Sequence, residues 1–326
     1  MKDSPAVSLT SQLQAKGSPL STFLREHLPQ IRPATDSFRN ALADVEAGPL
    51  LLPQAPAGVR PLWGTLGAAV DHRLRYAFTT ARTWDTAVTL GVQAAAACAW
   101  AEGDVAAAHA FTTTGNDLHA ALDEVLARQA PDDRDRELLL PLEAEEHLGR
   151  LCMAMAWFEE IYRSGYLAPA SPLGTLRAAT TLPSLLQRVP DYAVRDLTAQ
   201  IRNAHTVLGP LRAATTPDTC RSGPTFAGST DIDGADADLI ADGLLIDIKA
   251  TKDATRLAAP ALRQLIGYAL LDYSDQYGLN RVGLYLTRTA RLVTWDVEEL
   301  LQMMGAQAPL PTLRAALSRH LARATT

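Results

Sequence analysis

Asp238, Asp247 and Lys249 are the residues whose types and spacing could do chemistry in this chain. They lie in "GADADLIADGLLIDIKATK", residues 234–252, where eight residues separate the two acids and one separates Asp247 from the lysine. The chain has only four lysines, Lys2, Lys16, Lys249 and Lys252, against 26 arginines, and it places one of the four inside an apolar run. Burying an aspartate and a lysine costs desolvation energy on both, so the pair needs a partner or a task. In extended backbone, alternate residues share a face. Leu245, Asp247 and Lys249 then lie on one side of a strand, and Leu244, Ile246 and Ile248 on the other. Both sides are apolar away from the charges, which predicts a central strand covered on two faces. Asp-Gly at 242–243, between two apolar runs, predicts a tight hairpin. That hairpin sets Asp238 across from Asp247. Two carboxylates side by side repel unless a proton or a cation neutralises them. Oxygen donors in such small number suit Mg2+ (or Mn2+), which keeps several waters and favours phosphate oxygens as further ligands. A lysine beside that ion would hold a water or stabilise charge developing on a phosphate.

This arrangement resembles the core motif of the PD-(D/E)xK nuclease superfamily: an Asp at the end of one strand and Asp/Glu-x-Lys on the next. The resemblance implies that Asp238 and Asp247 bind Mg2+ together with the main-chain carbonyl of Ile248, and that Lys249 helps to position the attacking water. Ala237 stands where the name-giving proline would be. A second match follows in "QLIGY", where Gln264 and Tyr268, four apart, share one helix face. It resembles the Gln-x-x-x-Tyr motif of the RecB-like branch, in which these residues contact the catalytic groups or the DNA. The resemblance covers residues 230–300. It further implies a polar residue from an upstream helix. Glu160 is preferred, with Glu159 beside it in "AMAWFEEIYRSG". Asp71 or His72 in "WGTLGAAVDHRLRYAF" is the alternative, and the spacing does not decide between these places. The function implied is a metal-dependent nuclease hydrolysing DNA phosphodiester bonds, in DNA repair or in defence against foreign DNA. The rival reading is a catalytically silent protein of nuclease fold that binds nucleic acid or serves in assembly.

Helical periodicity covers 19–46, 64–80, 84–101, 104–129 and 134–164, the last preceded by the capping acids of "APDDRDRE". Residues 1–18 read as a mobile tail and 48–61, with four prolines, as an irregular connection. Shorter helices over 173–213 are expected to break near Pro183, Pro190 and Pro210. Residues 217–234 read as loop. After the hairpin come a helix over 259–278, two more strands joined through "RTAR", and closing helices over 297–304 and 310–324. The fold class expected is α/β, a small central mixed β-sheet flanked by helices in the manner of a restriction-endonuclease core, with a large helical N-terminal part. The division is a helical region over 1–215 and a core over 216–326.

Composition sets limits on this reading. A hydrophobic fraction of 47% supplies a sizeable core and excludes a disordered chain. The net charge of −6 gives no global basic signature, although charge is uneven: residues 101–160 hold 14 acids against 4 arginines. Cys98, Cys152 and Cys220 are too scattered for a disulfide framework or a zinc site. No signal peptide is visible, and the apolar stretch 87–101 is too short to span a membrane. The expectation is a soluble cytoplasmic protein with nucleic acid, DNA above all, as partner, no membrane partner, and a protein partner or self-association through the helical N-terminal part.

Overall fold

The computed structural model describes residues 9–79, 86–127 and 138–324. Among them are thirteen α-helices and one five-stranded mixed sheet. The expected capping acids at 130–137 lie outside the described residues, as do residues 1–8 of the expected tail. No described helix is long and apolar enough to cross a membrane.

In chain order the elements begin with α1 (Leu9–Gln14), α2 (Pro19–His27) and α3 (Ile31–Asp44). There follow α4 (Trp63–Phe78), α5 (Thr86–Ala101), α6 (Val105–Ala127), α7 (Leu142–Ser164), α8 (Pro172–Leu176), α9 (Leu182–Leu186) and α10 (Asp191–Ala214). The remainder is β1 (Cys220–Ser222), β2 (Leu239–Ala241), β3 (Leu244–Lys249), α11 (Ala258–Leu271), β4 (Arg281–Leu286), β5 (Arg291–Asp296), α12 (Val297–Met303) and α13 (Leu310–Ala324).

The chain forms two compact units: residues 1–50 with 214–326, and residues 51–213. The first holds the sheet, and its membership differs from the division expected at 215. Residues 1–50 cluster with the sheet because α1–α3 present Leu9, Leu20, Phe23, Ala34 and Phe38 to the same core as α11–α13. Phe38 meets Trp295 of β5 at 6.0 Å, and the Trp295 indole donates to Ser37 Oγ at 3.1 Å. Part of the expected tail is therefore α1, whose Leu9 packs so closely on α11 that a Cβ on Gly267 would lie 2.9 Å from its Cδ1. The predicted helix over 19–46 is two helices. Pro29 disfavours helical backbone at Leu28, which ends α2 with φ −131°.

The sheet order is β1-β2-β3-β4-β5. β2 and β3 are antiparallel and joined by the Asp242–Gly243 turn, with φ of 49° and 72°, the left-handed pair that a two-residue hairpin requires. A side chain at Gly243 would in addition meet the Gly278 carbonyl at 2.9 Å. β3 pairs parallel with β4, and α11 makes the crossover that a parallel pair needs. β4 and β5 are antiparallel. β3 is thus central, as its apolar sequence predicts, and five of its six residues are buried. β1 was not foreseen. It is three residues long, bounded by Thr and Gly, and carries no alternation long enough to register.

The second unit is built from α4–α10 around Leu66, Val88, Phe111, Leu118, Leu151 and Phe158. Helices α5 and α7 approach so closely at Gly91 that a Cβ there would lie 1.9 Å from the Phe158 carbonyl oxygen. The described part of the helix predicted from 134 begins only at Leu142, after Pro141. The expected break near Pro210 is absent, and α10 continues to Ala214. Pro210 sits in the final turns, where one lost hydrogen bond is tolerated, and Arg212 ties that end down by donating from Nε to the Ala77 carbonyl at 2.6 Å.

Candidate active site

β3 delivers two charges to the face covered by α11. Asp247 is 1% exposed, while the Lys249 side chain keeps 24% of its surface. Nζ of Lys249 lies 2.8 Å from Asp247 Oδ1, to which it donates, and 2.7 Å from Oδ2. The same ammonium donates to Gln264 Oε1 of α11 at 3.1 Å. Gln264 Nε2 in turn donates to the Tyr268 hydroxyl oxygen at 2.9 Å. The helical spacing of four stacks Gln264 on Tyr268, and the strand spacing of two stacks Lys249 on Asp247. A continuous polar chain, Asp247–Lys249–Gln264–Tyr268, results.

Asp238 enters from the other arm of the hairpin. The β2–β3 register pairs Leu239 with Ile246, and one further step brings Asp238 opposite Asp247. Its Oδ2 accepts from the Ile248 main-chain N–H at 2.6 Å. This charge-assisted bond fixes the Asp238 carboxylate beside the backbone that links Asp247 to Lys249.

Tyr268 is 5% exposed and stacks on Phe226 with ring centroids 5.7 Å apart. Burial pushes its phenol well above the ordinary value of 10, and the negative charges of Asp238, Asp247 and Asp236 push it further, against a smaller lowering by Gln264. The phenol therefore stays protonated near neutrality. With its oxygen accepting from Gln264, its own proton is available to an acceptor on the carboxylate side. Asp236 is a further acid near this site, beyond those expected from the sequence. It alternates with Asp238 between buried Ala235 and Ala237, so both acids project from one side of an extended segment. The period-two acids in "GADADL" were the available signal.

Asp238, Asp247, Ile248, Lys249, Gln264 and Tyr268 all belong to the sheet unit and come together there. Glu160, Glu159, Asp71 and His72 belong to the helical unit. Glu160 is exposed on α7. The two alternative places for an upstream residue meet each other: His72 Nε2 of α4 lies 2.8 Å from Glu159 Oε2 of α7, and both side chains are buried. Glu159 also pairs with Arg163, and Asp71 accepts from Arg75 Nε at 3.0 Å.

Among the described residues no group of three or more His, Cys, Asp or Glu is placed to hold a metal. The sheet unit offers instead two carboxylates in register and the main-chain carbonyl of Ile248, oxygen donors only. That donor set fits Mg2+ or Mn2+, which are satisfied by one or two carboxylates with waters completing the shell. It does not fit a closed nitrogen and sulfur site.

No protein-family model, curated protein or solved structure matches this chain significantly.

Proposed function

We propose that this chain is a divalent-metal-dependent nuclease that hydrolyses phosphodiester bonds of DNA, on a sheet of restriction-endonuclease-like kind. The observation that carries this reading is the meeting of Asp238 and Asp247 across the hairpin with Lys249, whose ammonium is held from β3 and from α11 at once. A structural ion pair would need only Asp247 and Lys249. It would not call for a second acid in register or for a glutamine aimed at the ammonium.

Asp238, Asp247 and the Ile248 carbonyl would hold Mg2+. When bound, the ion neutralises phosphate charge and makes a water more acidic. Lys249 supplies a fixed positive charge where the pentavalent phosphate builds negative charge, and a donor to orient the attacking water. Gln264 holds that ammonium in place, so its position need not be organised anew in each turnover. Tyr268, kept as a neutral phenol, serves as a hydrogen-bond donor and as the support for Gln264, not as a base.

The test is incubation of linear and circular DNA with the full chain plus Mg2+ or Mn2+, with and without EDTA. Cleavage that needs the metal and stops with EDTA supports the reading, and loss of linear DNA alone would specify attack from an end. Intact DNA with either metal would overturn it.

A further inference from the structure

Asp238 lies one residue outside β2, where the ladder to β3 has ended, so its backbone needs another support. That support is the segment 223–225. Gly223 N–H donates to the Asp238 carbonyl at 3.1 Å, Ala237 N–H donates to the Pro224 carbonyl at 3.0 Å, and Thr225 bridges Asp236. A phenol from the turn after α11 adds a tie to this segment: Tyr277 donates from its hydroxyl to the Thr225 carbonyl at 2.7 Å.

Tyr277 is well placed to act as an anchor. Its ring stands edge-on to Phe226 at 5.6 Å, and Phe226 lies against Tyr268 of the candidate site. Its main-chain N–H reaches Asp272 Oδ2 at 3.4 Å, while Gln276 N–H donates to Asp272 Oδ1 at 3.0 Å. Asp272 is fully buried and paired at 3.3 Å with Arg314 of α13, which also donates from Nε to the Ala269 carbonyl at 2.9 Å. The turn after α11 is therefore a stiff mount, and α11 serves both arms of the hairpin. It reaches Lys249 through Gln264, and it reaches Asp238 through Tyr277 and the 223–225 segment.

We propose that Tyr277 is the positioning residue for Asp238 and thereby sets the affinity of the site for a divalent cation. The proposal rests on the metal-dependent reading given above. A carboxylate that must meet a small cation at fixed distance loses affinity when the backbone carrying it loosens. Removing partners that stand behind metal ligands lowers metal affinity by roughly ten- to a hundredfold. Tyr277 lies toward the lower end of that range, because it acts through the main chain.

The experiment titrates the full chain with Mn2+ by calorimetry, comparing wild type, Tyr277→Phe, Tyr273→Phe and Asp238→Asn, with thermal melting of each. Tyr277→Phe keeps the ring contact with Phe226 and removes only the hydroxyl. Tyr273→Phe removes a comparable bond, to Asp231 Oδ2 at 3.0 Å, from the outer turn of the same loop. The expected result is Mn2+ affinity weakened roughly tenfold in Tyr277→Phe and unchanged in Tyr273→Phe, even where the two melt alike. Wild-type affinity in Tyr277→Phe, or equal weakening in both tyrosine variants, would overturn the proposal. If Mn2+ affinity is lost in Asp238→Asn yet intact in Tyr277→Phe, only the positioning role fails. If the wild type binds no Mn2+, the metal-dependent reading fails and the positioning role with it.

Discussion

The Lys249 ammonium stands 2.8 Å from Asp247 Oδ1 on its own strand and 3.1 Å from Gln264 Oε1 on the following helix. The glutamine is therefore the link between α11 and the charged end of β3. Gln264→Leu keeps helix propensity and bulk but releases the ammonium on that side. Cleavage by this variant is expected to fall by about a hundredfold or more, in the range found when one preorganised polar partner is removed, with a stability loss of about 1 kcal/mol. Steady-state kinetics beside denaturant melts check both numbers. Unchanged kcat would detach Gln264 from the chemistry.

Asp247 is far more buried than Lys249, so the two halves of the pair are not equivalent. Lys249→Met takes the ammonium away from a carboxylate that is 1% exposed and is expected to cost about 3–5 kcal/mol in metal-free buffer. Adding Asp247→Asn removes the buried negative charge and should recover most of that loss. Urea melts of both single variants and the double variant give the coupling. A double variant no more stable than Lys249→Met would show that the buried carboxylate does not depend on the ammonium.

Two glycines of the helical unit make opposite predictions. Gly91→Ala drives a Cβ to 1.9 Å from the Phe158 carbonyl oxygen, and helices α5 and α7 have to part. A loss of about 3 kcal/mol or more is expected. Gly149, inside α7, has nothing within 4 Å of an added Cβ. Gly149→Ala should therefore gain about 0.8–1 kcal/mol from helix propensity. Thermal unfolding of the two variants reads both signs.

Tyr285 is fully buried, and its hydroxyl has no hydrogen-bond partner among the described residues. Burial raises its phenol pKa, as it does that of Tyr268 and Tyr273. Above the ordinary phenol value of 10 the unfolded chain releases these protons while the folded chain retains them. The unfolded state then binds fewer protons, so the stability present below about pH 10 is lost as pH rises further. Tyr285→Phe should flatten that alkaline loss and, by removing an unsatisfied hydroxyl, raise stability near neutrality by about 1 kcal/mol or more. Denaturant melts across pH 7–11 measure both effects. A less stable variant would mean that the hydroxyl has a partner.

What could be read from the chain was what is local. The alternation in "LLIDIKA", Asp-Gly at the turn and the spacing of Gln264 and Tyr268 each act over a few residues, and the structure has them as expected. Three other features depend on distant partners. α1 owes its place to Gly267 on α11, so Leu9 in a polar leader gave no signal. β1 exists because β2 offers it an edge, not because "CRS" favours a strand. Continuity through Pro210 depends on where in α10 the proline falls. The support of Asp238 by Tyr277 belongs to the same class, since 38 residues separate the two in the chain. Asp236 is different: its alternation with Asp238 is local and legible in "GADADL".

The central claim is that Asp238, Asp247 and Lys249 together cut DNA. The most direct measurement compares Mg2+-dependent cleavage by the wild type with Asp238→Asn, Asp247→Asn and Lys249→Gln, each near-isosteric at the charge it removes and each shown by circular dichroism to be folded. The account predicts cleavage by the wild type that EDTA abolishes, and cleavage reduced to background in all three variants. Wild-type rates in the folded variants, or no metal-dependent cleavage by the wild type, would contradict it.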